Sequence, residues 1–148
     1  MKTITLNISE EFSLYPGLRT YDISKETSGE VFYHEFLNPK FYKALQEKCS
    51  LKVILDGTMG YTPSFIDEAF GRLVFDFGEH WVRQCLEIES CEEPSWKAQI
   101  ENTTITKWEK RRKDNDAPVN TDGYRVPSWW HMDKANNFSL ISSYHDCR

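Results

Sequence analysis

Three stretches of the chain have the polar and apolar spacing of strands. Thr3 to Ser9 alternates, with Ile4, Leu6 and Ile8 on one side and Thr5 and Asn7 on the other, which predicts a half-buried strand. Leu51 to Leu55 is almost continuously apolar and predicts a central strand covered on both faces, ended by Asp56-Gly57. Cys85 to Glu89 alternates again around Leu86 and Ile88. After the turn signal Tyr15-Pro16-Gly17, Leu18 to Ile23 is expected to return as a strand, pairing with the first in a long-looped hairpin.

Between these stretches the apolar positions take up helical spacing. A first helix starts near Thr27 or Ser28, where Thr27 with Glu30 three residues on fits a capping box. Phe32 with Phe36, and Tyr33 with Leu37, form its apolar rows. Asn38-Pro39 should break it, Asn38 capping a second segment with Pro39 at the first position, because a mid-helix proline lacks its N–H and clashes with the turn before it. That segment runs to about Lys48, with Phe41, Ala44 and Leu45 facing inward. Thr62-Pro63-Ser64 opens the clearest helix, with a threonine cap, a proline at the first position, and Asp67 and Glu68 near its positive end. Phe65, Ile66, Ala69, Phe70, Leu73, Val74 and Phe77 make a broad apolar stripe on it, and Gly71 suits a close approach to the sheet. Pro94-Ser95 opens a last helix through Trp96, Ile100, Ile105 and Trp108, ending in the basic run Lys107 to Lys113.

These elements give an α/β fold class: a small mixed sheet covered by helices over residues 1–113, followed by a polar C-terminal extension, 114–148. The extension is rich in Asp, Asn, Pro, Gly and Ser and cannot fold alone, yet Trp129-Trp130 and Phe138 to Ile141 are costly to leave in water. It is expected to dock on the domain, to bind a partner or to mediate self-association, with the tryptophan pair as anchor and a short strand from Phe138 to Tyr144 added to a free sheet edge.

Composition narrows the class. Apolar residues are 39% of the chain and aromatics 14%, so large rings must supply much of the core. A formal net charge of −5 argues against a nucleic-acid partner, which needs a basic surface. No apolar run approaches the roughly 18–20 residues that cross a bilayer, and the N-terminus has no signal-peptide block, so no membrane partner and a cytoplasmic location are expected. Cys49, Cys85, Cys91 and Cys147 make neither a C-x-x-C pair nor zinc spacing, and read as four free thiols. His145-Asp146-Cys147 has one histidine and one cysteine, too few for a tetrahedral metal site. His34, Glu35 and His80 lack a recognisable nucleophile nearby and read as surface or half-buried residues. The basic run complements the negative end of its helix. No catalytic residue, metal site or cofactor is assigned.

Two segments carry a family likeness. SGEVFYHEFLNP (Ser28 to Pro39) and PSFIDEAFG (Pro63 to Gly71) resemble motifs of a bacterial STAS-like family of unknown function, over roughly Thr3 to Lys107. Tyr33 and His34 depart from its first motif, and Pro63 replaces a serine in its second. The resemblance implies a regulatory protein–protein interaction module rather than an enzyme, working beside an ATPase- or kinase-like protein in bacterial signalling or defence. It places Ser64 where STAS antagonists of anti-sigma factors carry a phosphorylated switch serine. Asp67 and Glu68 count against a phosphate there, since like charges repel it. The expected partner-binding surface is Asp56, Gly57, Tyr61, Thr62, Ser64, Asp67 and Glu68, on and after the loop that follows the central strand. Two other functions remain compatible with the residues: a small metal-dependent enzyme using Asp56, Asp67 and Glu68, and a nucleic-acid-binding accessory protein using Lys107 to Lys113.

Overall fold

Strands β1 (Thr3–Asn7), β2 (Ser50–Ile54) and β3 (Leu86–Glu89) lie side by side in the order β1-β2-β3, all parallel. The structure, a computed structural model, describes residues 2–147. Register places Ile4, Leu51 and Leu86 in one row and Leu6, Val53 and Ile88 in the next, all on one face. Leu6, Leu51 and Val53 are fully buried there. The opposite face carries Thr5, Lys52, Glu87 and Glu89, with Lys52 and Glu89 paired at 3.0 Å. The central strand is therefore covered on one face only. The alternation of Leu51, Val53 and Leu55 with half-buried Lys52 and Ile54 is the reason.

Helices make the other layer. The short α1 (Ile8–Glu11) continues directly from β1, with Asn7 accepting from the Glu10 N–H. The expected return strand does not form: the chain from Leu14 to Thr20 crosses the end of the sheet as a loop, and Tyr21–Ser24 is one helical turn, α2. Parallel strands leave no place for a two-strand hairpin, and the loop's backbone bonds run to Thr27 and Met59 instead.

The next helix is capped by Ser28, whose side chain accepts from the Val31 N–H. Thr27 is not the cap, and Glu30 turns to a different task. The helix is unbroken over 29–46: α3 (Gly29–Phe32), a π turn (Tyr33–Leu37) and α4 (Asn38–Gln46). Asn38 is helical and caps nothing; its N–H bonds back five residues to the Tyr33 carbonyl. That wider turn carries the helix past Pro39. A 3-10 turn, Lys25–Thr27, precedes the helix.

Helix α5 (Pro63–Phe77) starts as the sequence predicts, with the Thr62 hydroxyl accepting from the Phe65 N–H at 3.1 Å. Every residue from Phe65 to Phe77 is buried, polar ones included. It is enclosed by α3, by α6 (Glu79–Cys85) and by the C-terminal helix, while α4 and α6 lie on the sheet. The C-terminal helix is continuous over 95–113: α7 (Ser95–Gln99), a π turn (Ile100–Thr104) and α8 (Ile105–Lys113). Gly71 opens the way to this helix, not to the sheet. A Cβ at Gly71 would sit 2.1 Å from the fully buried Trp108 indole.

The extension packs on the domain as its own unit. β4 (Trp129–Met132) and β5 (Phe138–Ile141) pair with each other, antiparallel, and do not join the three-stranded sheet. Trp129, Met132 and Ile141 are buried. Trp130 stacks flat on Tyr42 of α4, centroids 3.7 Å apart. Asn38 pairs with the Trp130 backbone through both ends of its amide, 2.9 Å each way. An edge strand is mimicked by a side chain, so the hairpin needs no edge of the main sheet. A last 3-10 turn is Tyr144–Cys147. Cys49, Cys85 and Cys91 are free thiols, whereas Cys147 and Asp146 lie outside the residues whose side chains are described.

Phe70→Ala, which empties a fully buried site in the aromatic core, should lower unfolding free energy by about 3–5 kcal/mol in urea titration. Gly71→Ala should also destabilise, although in an open helix the same change gains about 1 kcal/mol. Here the new methyl meets the Trp108 ring. A neutral or stabilising Gly71→Ala would show that α5 and α8 do not approach as described.

Candidate functional site

Parallel strands send all their C-terminal ends to one side, where open α/β sheets carry their binding sites. Three loops meet there, and backbone bonds knit them. The Met59 N–H donates to the Leu14 carbonyl at 2.8 Å, and the Leu55 N–H to the Glu89 carbonyl at 2.8 Å. Asp56 is the clamp: its two oxygens accept from the Cys91 and Glu92 N–H groups at 3.0 and 2.8 Å. Those two backbone bonds hold its carboxyl below the ordinary range. Glu92 reciprocates by accepting from the Gly57 N–H. Gly57 has φ +94°, and a Cβ there would meet the Ser9 hydroxyl at 2.7 Å. The Tyr61 hydroxyl donates to the Leu55 carbonyl at 2.7 Å, and burial pushes its phenol up. Between the loops lies a cavity of about 210 Å³ bordered by Asp56, Met59, Tyr61, Glu92, Glu93 and Trp96.

Next to it stands the start of α5. Ser64 is half-exposed, and its hydroxyl lies 3.1 Å from that of Thr62. The Thr62 hydroxyl also donates to the Gly17 carbonyl, tying the α5 start to the loop after β1. Asp67 and Glu68 point away from Asp56. Asp67 takes Arg19 at 2.8 Å, Lys107 at 2.9 Å and the Trp108 indole N–H at 3.1 Å. Burial raises the Asp67 carboxyl, but its bonds to Lys107, Arg19 and Trp108 together hold it below its ordinary value. Glu68 binds Arg19 at 3.0 Å and, on the other side, Arg72. The structure thus places Asp56, Gly57, Tyr61 and Thr62 on one surface with Ser64 beside them, and sets Asp67 and Glu68 into a neutralised layer below.

That layer leads to a buried polar network the sequence does not announce. Arg72 is fully buried. It donates to Glu68, to Asn120 Oδ1 at 2.7 Å and to the Val119 carbonyl at 2.9 Å. Glu30, also fully buried, accepts from the Tyr21 N–H and from the Thr121 N–H and hydroxyl. His34, expected at the surface or half-buried, is buried instead, its Nε2 3.1 Å from Arg72 and 3.2 Å from Asn120 Oδ1 and its Nδ1 without a hydrogen-bond partner among the described residues. Burial first, and Arg72 second, lower the pKa of His34 to about 3.

The basic run is largely engaged. Lys107 binds Asp67, Lys110 binds Asp114, Arg111 covers the Trp108 ring and bonds Asp116, and Arg112 donates to the Met132 carbonyl. Among the described residues no group of three or more His, Cys, Asp or Glu could hold a metal ion. His80 is exposed on α6 and Glu35 bonds Tyr124.

Residues 28–96 match the family model of a STAS-like domain of unknown function. The matched segment starts at the Ser28 cap and takes in Glu30, the central strand, its loop, α5 and Trp96. No curated protein and no solved structure matches the chain.

Two outcomes test this layer. The depressed His34 contributes stability that is complete above its unfolded value near 6.5 and is lost as pH falls from there toward about 3. Between pH 7.5 and 5 the parent should therefore lose about 2 kcal/mol more than His34→Gln in urea titrations. Truncation after Lys113 removes Asn120, Thr121 and Val119 from Arg72 and Glu30. Removing partners of buried charges costs about 3–5 kcal/mol, and Arg72 and Glu30 each lose theirs from the extension, so the truncated chain should be insoluble or unfolded by circular dichroism.

Proposed function

With a STAS-like domain spanning residues 28–96 as premise, we propose that the protein is a non-catalytic regulatory module that binds another protein at the loop end of the sheet. One observation carries the reading. Leu14, Tyr15, Leu18 and Met59 are 50%, 67%, 40% and 75% exposed, on two loops bonded to each other beside the small cavity. Large apolar side chains held on a rigid scaffold favour association. Asp56, Glu92 and Glu93 border them, so a fitting partner offers apolar side chains with a basic rim. The STAS likeness supplies the kind of partner, an ATPase- or kinase-like protein in bacterial signalling or defence.

Ser64 suits a switch better in the fold than in the sequence. Asp67, one turn on, is already paired with Arg19 and Lys107. A phosphate on Ser64 would sit at a helix N-terminus, above carboxylates whose charge Arg19 and Lys107 already offset. A metal-dependent enzyme finds less support: Asp67 and Glu68 face cations, and Asp56 is spent on the loop backbone. A nucleic-acid role finds little, because the basic run is mostly paired within the chain. Self-association through the extension has one supporting feature, since β5 is an edge strand with Leu140 exposed.

Met59→Glu and Leu14→Glu should each weaken binding to a partner, once cross-linked and purified, by about tenfold or more. Their own stability should stay within about 0.5 kcal/mol of the parent. Ser64→Asp should weaken the same interaction while Ser64→Ala preserves it. Unchanged affinity in both loop variants would move the docking face elsewhere. Divalent-metal-dependent hydrolysis of a phosphate ester, lost on Asp67→Asn with the fold intact, would replace the binding reading by the enzyme.

A further inference from the structure

A larger cavity lies elsewhere, between the domain and its extension. It measures about 760 Å³, the size of a small-molecule site, and its wall includes Phe75, Arg112, His131, Met132, Lys134 and Tyr144. Four elements build it: α5, the end of α8, the hairpin and the last turn. None of its wall belongs to the loop surface described above.

Behind one lining residue, His131, lies a buried carboxylate. Asp76, fully buried on α5, accepts from His131 Nδ1 at 2.8 Å. Two phenols complete its shell, Tyr33 and, at 3.1 Å, Tyr144. Three donors thus fix one buried carboxylate. The His131 ring is set between Phe75 and Tyr144, at centroid distances of 6.4 and 5.8 Å. With Nδ1 turned to Asp76, Nε2 lies on the opposite side of the ring, and the residue lines the cavity. A carboxylate behind an imidazole fixes the orientation of the ring.

Two cations, Arg112 and Lys134, line the cavity. Arg112 reaches across, giving one guanidinium N–H to the Met132 carbonyl at 3.2 Å. Lys134 is exposed at the hairpin turn. Among the described residues of the wall the one carboxylate is Asp133, which accepts from the Ala135 and Asn137 N–H groups of its own turn. His145 also borders the cavity. The remaining wall is apolar at Phe75, Met132, Ala117 and the Tyr144 ring, with Asn115 among them.

We propose that this cavity binds a small organic anion, its carboxylate or phosphate head held by Arg112 and Lys134 beside the His131 ring, and its apolar body against Phe75, Met132 and Tyr144. Because the extension supplies His131, Lys134 and Tyr144, the ligand bridges extension and domain. A ligand that binds only the docked state strengthens docking by mass action.

Phenyl phosphate, phenylacetate and neutral benzyl alcohol test it on the full chain, read by the side-chain nitrogen shifts of His131 in histidine-labelled protein. Either anion should move Nε2 saturably, and benzyl alcohol should not. The tighter of the two identifies the head group as a phosphate ester or a carboxylate. Arg112→Met should weaken binding about tenfold, and Lys134→Met, at an exposed position that cannot disturb the fold, about threefold. Met59→Glu should leave it unchanged, which separates this site from the loop surface. Absence of a saturable shift with either anion, an equal shift with benzyl alcohol, or full affinity in Lys134→Met and Arg112→Met together would overturn the proposal.

Discussion

A fully buried guanidinium organises this protein. Arg72 sits in the middle of the helix that every other layer encloses, and its charge has to be met there. A buried ion without partners costs several kcal/mol, so each neighbouring segment is positioned by what it brings to Arg72 or to the carboxylates around it. Glu68 comes from the preceding turn of the same helix, His34 from the π turn of α3–α4, and Asn120 and the Val119 carbonyl from the extension. Glu30 does not bond Arg72 closely, at 3.9 Å, but it completes the neutralisation and fastens Tyr21 and Thr121.

This explains why the chain after Lys113 is not a loose appendage. Asp76 repeats the logic one turn further along α5, with His131 and Tyr144 from the extension and Tyr33 from the π turn. The two polar centres hold the extension on one side of α5, while Trp130 on Tyr42 and the Asn38 amide hold its hairpin on α4. Domain and extension therefore share a core, and the larger cavity is a product of that junction. The loop end of the sheet is built differently, by short backbone bonds and the Asp56 clamp. That gives a firm surface able to present Leu14, Tyr15 and Met59 to water without collapsing onto them.

The family motifs take on physical meaning in this frame. Ser28 caps, and a Cβ at Gly29 would meet the Phe65 carbonyl at 2.8 Å, so α3 and α5 touch along their backbones. Glu30, Asp67 and Glu68 are charge partners in the interior, and Gly71 admits Trp108. Most of what makes the segments recognisable is thus packing and neutralisation rather than surface chemistry. Ser64 and the Asp56 loop are the parts left facing outward.

What could be read from the amino-acid order alone was whatever depends on neighbours. The three strands followed from alternation and apolar runs. The α5 start followed from Thr62-Pro63, because a cap is satisfied within three residues. The loop after the central strand could be placed because Asp56-Gly57 ends the apolar run. Where local rules competed with distant partners, they failed. Pro39 suggested a break, but a π turn absorbed it, and Asn38 was drawn to Trp130, 92 residues away. Leu18 to Ile23 had strand composition, but with all neighbours parallel it had no antiparallel partner. Arg72 and Asp76 fall between the apolar positions of the α5 stripe. Their partners lie 38 to 68 residues off in sequence, at His34, Asn120, His131 and Tyr144, and no spacing rule links positions so far apart. Only the tertiary structure decides such pairings, because the cost of burying a charge is set by what folding brings beside it.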